Sequence, residues 1–471
     1  QRLASSRRLR RIIILAPEDH ELGPRVARLE LDVPLSIESC GTSPFGPEHD
    51  AIVAARMFAD RCWRGGIAGM TAFDEVLAPQ SMHAVMERDG LDGAVLVGPD
   101  WPLVEISGHG GIDPMIDRWR DSGGRHQLVF SQSPPGLGAC LVSRRLMRTF
   151  SDRNRLATIG AMLGYRPGRA EHDPIVGEAN LPLDPQVRRS LLRAVFDAPR
   201  TRYRIRCAME PILSNQRTSR GGFSSRDIID QLEYQRRGGL PQFTPRHVLI
   251  ELCTGRLGCG TCSPHRAGTI QREAMNDQRF NRIISDLADS RDAMITFAGV
   301  GDPMQHPRCI EYVRTALDAG IRGVHVRTEL QCSEERVREL AVCGAQVVSV
   351  DLNADSPESY RIAMGHDGYR TAIDRIRLLI ESRRCLAGEG PGALALPWVV
   401  PRIQRTPVTC SDIESFFERW QEVLGTAVID QESIALGQEG SAGPAITDAS
   451  NPERTQIAET FRRMVIYSDG T

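Results

Sequence analysis

The sequence predicts an α/β architecture: one α/β domain followed by a partial (β/α)6 barrel. Three observations carry this. Strand-like apolar runs alternate with amphipathic stretches almost throughout the 471 residues. From Thr244 the alternation settles into six strand–helix units of roughly 30 residues each, the length a parallel strand and its crossover helix need. Between the two regions, from about Asn215 to Pro245, lies a polar stretch rich in arginine and glycine.

Taken in order, residues 1–205 read as the first α/β domain. Its strands are expected at Arg11–Ala16, Ala94–Gly98 and Gln127–Ser131, with helices at Asp50–Ala59 and Gln80–Asp89. Residues 206–243 read as a linker holding one short helical piece, Ser225–Gln235. The barrel is expected over 244–432. Its strands are His247–Leu252, Ala293–Ala298, Gly323–Thr328, Gln346–Leu352, Leu394–Val400 and Ala427–Asp430. Helices are expected between them at Gln278–Ser290, Arg308–Ala319, Ser333–Cys343, Tyr369–Ser382 and Ser411–Leu424. Phe280, Ile283, Ile284 and Leu287 have the spacing of one helix face, and Ser333 and Ser411 stand where N-caps are wanted. In such a barrel the chemistry sits at the C-terminal ends of the strands. Residues 433–471 begin with a Gly/Ser/Pro/Asp-rich stretch and end in Met464-Val-Ile-Tyr-Ser-Asp-Gly-Thr471, which reads as a strand and turn cut off before its partner.

Composition excludes several classes. With 41% hydrophobic and 25% charged residues the chain is globular rather than disordered. A net charge of −2 provides no global positive field for a nucleic acid. All 58 basic residues are arginine, so a Schiff-base lysine, a pyridoxal-phosphate anchor and a P-loop lysine are impossible. The early apolar run Ile12–Ala16 follows four arginines, but it is too short for a signal peptide or a bilayer span. A cytoplasmic location without membrane attachment is expected. The start at Gln1 and the abrupt stop at Thr471 suggest an excerpt of a longer protein.

Twelve cysteines are too sparse for a disulfide scaffold, yet three of them bunch in Cys253-Thr-Gly-Arg-Leu-Gly-Cys259-Gly-Thr-Cys262, at the end of the first barrel strand. Three thiolates on a glycine-containing loop can wrap a soft metal centre. Read by themselves they could be packed reduced thiols, a zinc site with His265 as fourth ligand, or an iron–sulfur cluster with one open iron. The loop after the second barrel strand, Phe297-Ala-Gly299-Val300-Gly301-Asp302-Pro303, presents an exposed backbone edge.

Here the sequence resembles the radical S-adenosylmethionine (SAM) superfamily over roughly residues 244–432. The cysteine loop is similar to that family's cluster loop, and Gly299, Val300, Gly301, Asp302 and Pro303 are similar to the element whose backbone holds the SAM amino group. Arg327-Thr328-Glu329 lies where the family has a polar pair after the third strand. The stretch from Ser349 through Asp351 to Arg361 resembles the one whose polar residues face the SAM ribose and carboxylate. Residues 464–471 resemble the opening of the auxiliary-cluster extension called SPASM. The cysteine spacing departs from the family's C-x3-C-x2-C, with Gly255 where the first ligand normally falls; Thr261 and Asp302 replace a bulky residue and a glutamate.

The resemblance implies a [4Fe–4S] cluster on Cys253, Cys259 and Cys262, with SAM on the fourth iron and Thr328, Glu329, Ser349, Asp351 and Arg361 around it. A flavodoxin- or ferredoxin-type donor would reduce the cluster. Cleavage of SAM would then give a radical that takes hydrogen from a small-molecule or peptide substrate.

In the first domain, Val95-Leu-Val-Gly98-Pro99-Asp100, Phe130–Gly136 and His172-Asp173-Pro174 resemble landmarks of nucleotidyltransferases and GT-A glycosyltransferases over residues 10–180. That resemblance implies a nucleotide and a Mg2+ ion on Asp100, although the glycine-rich loop after the first strand and the phosphate lysine are absent. Two other readings stay open: a non-catalytic nucleotide- or partner-binding protein that has lost the cluster, and a nucleotidyltransferase with a zinc-stabilised domain.

Overall fold

The computed structural model describes residues 2–41, 47–58, 79–152, 179–190, 192–216, 223–237, 245–255, 271–387, 395–424, 427–430 and 463–471. The chain divides into two units, one drawn mainly from residues 1–242 and the other mainly from 243–471.

In the first unit, β1 (Ile12–Ala16) pairs in parallel with β2 (Leu35–Ser39), a strand the sequence reading did not foresee. A mixed four-stranded sheet has the order β3-β5-β4-β6, with β3 at Gly93–Leu96, β4 at Leu128–Ser131, β5 at Cys140–Ser143 and β6 at Asn180–Leu181. The unforeseen β5 is antiparallel to both of its neighbours and fully buried. Within the expected linker 206–243, residues 206–216 and 225–237 are helical. Helices Pro199–Gln216 and Ser225–Arg237 place Ile205, Ala208, Ile228, Ile229 and Leu232 in one apolar cluster with Leu103, Leu137 and Val187. The arginine-rich composition hid that narrow stripe, which is all a surface helix needs in order to dock.

The second unit is built on a seven-stranded, wholly parallel sheet. Its strands are β7 (His247–Ile250), β8 (Met294–Phe297), β9 (Gly323–Thr328), β10 (Val347–Asp351), β11 (Trp398–Gln404), β12 (Val428–Asp430) and β13 (Arg463–Ile466). The spatial order is β12-β11-β10-β9-β8-β7-β13. Consecutive strands from β7 to β12 are neighbours, as repeated strand–helix units require. The segment expected to be cut off before its partner is β13, and it pairs with β7 in the register Ile466↔Ile250.

Alternate strand positions point to the helices. Val248, Ile250, Ile295, Phe297, Val324, Val326, Val348, Val350, Val399 and Ile403 form one core with Phe280, Ile284 and Leu287 of helix Asp277–Ala288 and with Phe416 and Trp420 of helix Ile413–Leu424. The period of two then sends the intervening residues to the opposite, concave face. Ser333 caps helix Glu334–Val342 as expected. Ser411 does not act as a cap: it lies inside a 3-10 turn, Cys410–Asp412, that precedes helix Ile413–Leu424. A further helix, Pro357–Met364, opens at Ser356 and closes at Gly365, whose φ of 80° a glycine adopts without strain. Among the described residues, no helix is long and apolar enough to cross a membrane.

Candidate functional site at the C-terminal ends of the barrel strands

Leaving β7, the chain passes through Glu251, which is 1% exposed although it is a carboxylate. Its backbone N–H donates to the Ile466 carbonyl (2.9 Å). Its Oε1 accepts from Arg272 Nη1 (2.9 Å) and from the Ser468 hydroxyl (3.2 Å), and its Oε2 accepts the Val300 N–H (2.9 Å). One buried side chain thus ties together the strand before the cysteine segment, Arg272 further along the chain, the glycine element and the end of β13. A Cβ on Gly299 would stand 2.6 Å from Glu251 Cγ, so glycine is required where the carboxylate packs.

The start of the cysteine segment lies directly on the glycine element. Gly301 N–H donates to the Cys253 carbonyl (3.2 Å) and Asp302 N–H to the Gly255 carbonyl (3.0 Å). The Cys253 thiol donates to the Asp302 carbonyl at 3.4 Å. Burial pushes this thiol up to about 11, with the charges of Asp302 and Glu251 adding to the effect, so the free cysteine is protonated at neutral pH. Cys259, Cys262 and His265 lie outside the described residues.

Asp302 is buried and serves as a clasp. Oδ1 accepts the Met304 N–H (2.8 Å), capping the short turn that begins at Pro303, while Oδ2 accepts from the Thr328 hydroxyl (3.0 Å) and the Glu329 N–H (2.9 Å). The second and third strand ends are thereby joined. Thr328 Oγ1 also accepts the N–H of Leu330, a buried residue held at a φ of 54°, the left-handed region that branched side chains avoid.

Ser349 and Asp351 both occupy the concave side of β10, at different depths. Ser349, fully buried, ends a hydrogen-bonded chain across four strands: His247 Nε2 to Thr296 Oγ1 (2.6 Å), Thr296 Oγ1 to His325 Nδ1 (3.1 Å), and His325 Nε2 to Ser349 Oγ (2.6 Å). Two residues nearer the strand end, Asp351 accepts from Arg327 Nε. Arg361 does not join them. It is exposed on helix Pro357–Met364, and its side chain makes no hydrogen bond or ion pair with the described residues, because that turn of chain is a surface helix.

Below the glycine element, His306 is buried against Tyr312, with 5.3 Å between ring centroids. Its Nε2 donates to the Met275 carbonyl (3.0 Å) and its Nδ1 accepts the Arg308 N–H (3.2 Å), which fixes the neutral ring. Burial lowers its pKa from the ordinary 6.5, and the neighbouring Arg308 and Arg336 charges add to this. A depressed histidine contributes stability that is fully present above pH 6.5 and lost as pH falls toward its folded value. Denaturation midpoints of the wild type should therefore fall between pH 7 and pH 5 relative to His306→Gln, which keeps a donor and an acceptor but does not titrate. Parallel pH profiles would refute this.

In the first unit, Asp100 is half-exposed in the turn after β3, where its carbonyl accepts the Phe196 N–H (2.7 Å). No group of three or more His, Cys, Asp or Glu side chains placed to hold a metal occurs among the described residues. A cavity of about 150 Å3 is lined by Glu105, His109, Ser133, Asp184 and Arg226, among others, but not by Asp100. The expectation of Mg2+ and a nucleotide on Asp100 therefore gains no support from the fold. His172-Asp173-Pro174 lies outside the described residues.

Glu251, Arg402, Asp430 and the residues His247, Thr296 and His325 that lead to the expected Ser349 were not singled out in the sequence. A signal existed: each is a polar residue interrupting, or directly following, an apolar strand.

No family model matches the sequence. A 127-residue stretch is 25% identical to an AdoMet-dependent heme synthase of Methanosarcina barkeri, covering 27% of this chain and 34% of that protein. That relative is an AdoMet-dependent enzyme. The match agrees with the resemblance drawn from the cysteine and glycine loops, and the chain spans about a third of the curated relative's length. Among solved structures, Streptococcus suis SuiB bound to S-adenosylmethionine shares 13% identity, with 54% of this chain and 58% of that chain covered at a TM-score of 0.35. Methylornithine synthase (PylB) shares 14% identity, with 54% and 74% covered at a TM-score of 0.34.

Proposed function

We propose that the barrel unit is a radical SAM enzyme domain acting on a small molecule or peptide. The observation that carries the reading is the seating of Cys253–Gly255 on Gly301 and Asp302, at the C-terminal ends of β7 and β8. The described part of the site fits an iron–sulfur centre: a soft sulfur donor stands at the barrel mouth beside backbone groups that a Cβ would displace. Cys253, Cys259 and Cys262 would hold the cluster. When bound with SAM and reduced by an external donor, it supplies the power to abstract a hydrogen atom.

The chain's own residues do the placing. Glu251 and Asp302 hold the two loops together, Gly299 and Gly301 let backbone approach backbone, and the walls of the barrel keep water from a reactive intermediate.

Anaerobic reconstitution with iron and sulfide should yield a brown protein with about four irons per chain, as a [4Fe–4S] centre requires. With a strong reductant and SAM it should form 5′-deoxyadenosine. Cys253→Ala, Cys259→Ala and Cys262→Ala should each lose the iron. A colourless wild type carrying one zinc would overturn the reading, as would full iron content in any of the three variants.

A further inference from the structure

The concave ends of β9 to β12 carry two arginines and two aspartates. Arg327 Nε donates to both oxygens of Asp351 (2.9 and 2.8 Å). Arg402 Nη2 donates to Asp430 Oδ1 (2.6 Å), and its Nε lies 3.0 Å from Asp430 Oδ2 and 3.6 Å from Asp351 Oδ1. Arg327 Nη2 also stands 3.8 Å from Asp430 Oδ2. β9 and β12 are three strand spacings apart, about 14 Å along the sheet, so this last contact is possible only across the hollow of the barrel.

The two arginines are used differently. The side chain of Arg402 is 7% exposed and its fork is spent on Asp430. The side chain of Arg327 is 40% exposed, and among the described residues only its Nε–H has a hydrogen-bond acceptor. Asp351 and Asp430 flank its guanidinium at the barrel mouth, and neither Nη1 nor Nη2 has a hydrogen-bond acceptor among the described residues. Radical chemistry requires water to leave that space. Once it does, a rigid planar fork of charged donors must meet an acceptor of matching shape, and a carboxylate meets two parallel N–H groups at once.

We propose that Arg327 is a specificity-determining residue that binds a carboxylate of the substrate, with Asp351 and Asp430 orienting its fork. This rests on the barrel being the reaction chamber, but its test does not need the cluster. The iron-free wild-type chain is treated with phenylglyoxal, which reacts with unengaged guanidinium nitrogens, and modification is mapped by peptide mass spectrometry. Arg327 should react while Arg402 resists. Millimolar succinate should slow modification of Arg327 about tenfold, as charge-assisted pairing with the fork predicts, and the uncharged succinamide should not. An unreactive Arg327, or equal protection by succinamide, would overturn the assignment. Protection by SAM alone would place the cofactor's own carboxylate there and overturn it as well. Failure of iron reconstitution with succinate protection intact would count against the radical reading only.

Discussion

Replacing Glu251 with alanine is expected to destabilise the barrel unit by about 3–5 kcal/mol, the scale on which one partner of a buried ion pair is lost. The reason lies in what remains. Arg272 Nη1, the Val300 N–H and the Ser468 N–H and hydroxyl all converge on this carboxylate, and removing it strands several donors in a buried place at once. Glu251→Gln should recover little, because its amide nitrogen would set a donor against donors. Denaturant midpoints of the three proteins measure this, and a shift in Glu251→Ala worth less than about 1 kcal/mol would show that the convergence contributes only an ordinary hydrogen bond. Iron bound on reconstitution should fall in parallel, since the same side chain links the two flanks of the cysteine segment.

Gly301→Ala should unseat the cysteine segment. A Cβ there would stand 2.6 Å from the Gly255 carbonyl oxygen and 2.7 Å from the Thr254 carbonyl carbon, all main chain that cannot swing aside. The segment must lift, breaking both hydrogen bonds that hold it, with a cost of about 1–3 kcal/mol for overpacking. The half-buried Cys253 thiol should then react with a thiol reagent much faster than in the wild type, and iron uptake should fail. Gly255→Ala is the matched control. Its Cβ would meet nothing within 4 Å among the described residues, so stability should stay within about 0.5 kcal/mol. Equal behaviour of the two variants would show that the close approach at Gly301 is not what seats the loop.

The parts of this protein that were legible in its sequence are those where one physical signal dominates. β9 matches the expected Gly323–Thr328 residue for residue, because β-branched Val324, Val326 and Thr328 recur at the strand period after a turn at Ala319–Gly320. The start of the cysteine segment, at Cys253, and the glycine element were visible as chemically unusual residues, and the structure brings them together.

Elsewhere two signals competed. β11 was expected at Leu394–Val400 but runs over Trp398–Gln404, since Arg402 and Gln404 break the apolar run while facing the hollow of the barrel. The same cause concealed the chain from His247 to Ser349: a polar inner face looks, in one dimension, like isolated imperfections in apolar strands. The resemblance implies that Arg361 faces the cofactor, whereas it lies on helix Pro357–Met364, whose start is signalled by the Ser356 cap and Pro357 at the first helical position. The site's strongest organiser, Glu251, is a single charged letter whose partners are brought together only by the folded sheet.

The partnership of Glu251 with Ser468 spans 217 positions of chain. During synthesis the ribosome delivers Glu251 and Cys253 long before Ser468, and closing so long a loop is entropically costly until the parallel strands between are in place. The nascent chain must therefore carry Cys253 beside an unfinished Glu251–Ser468 contact until residue 468 is out. On the proposed reading, iron would be loaded after translation of this region rather than during it.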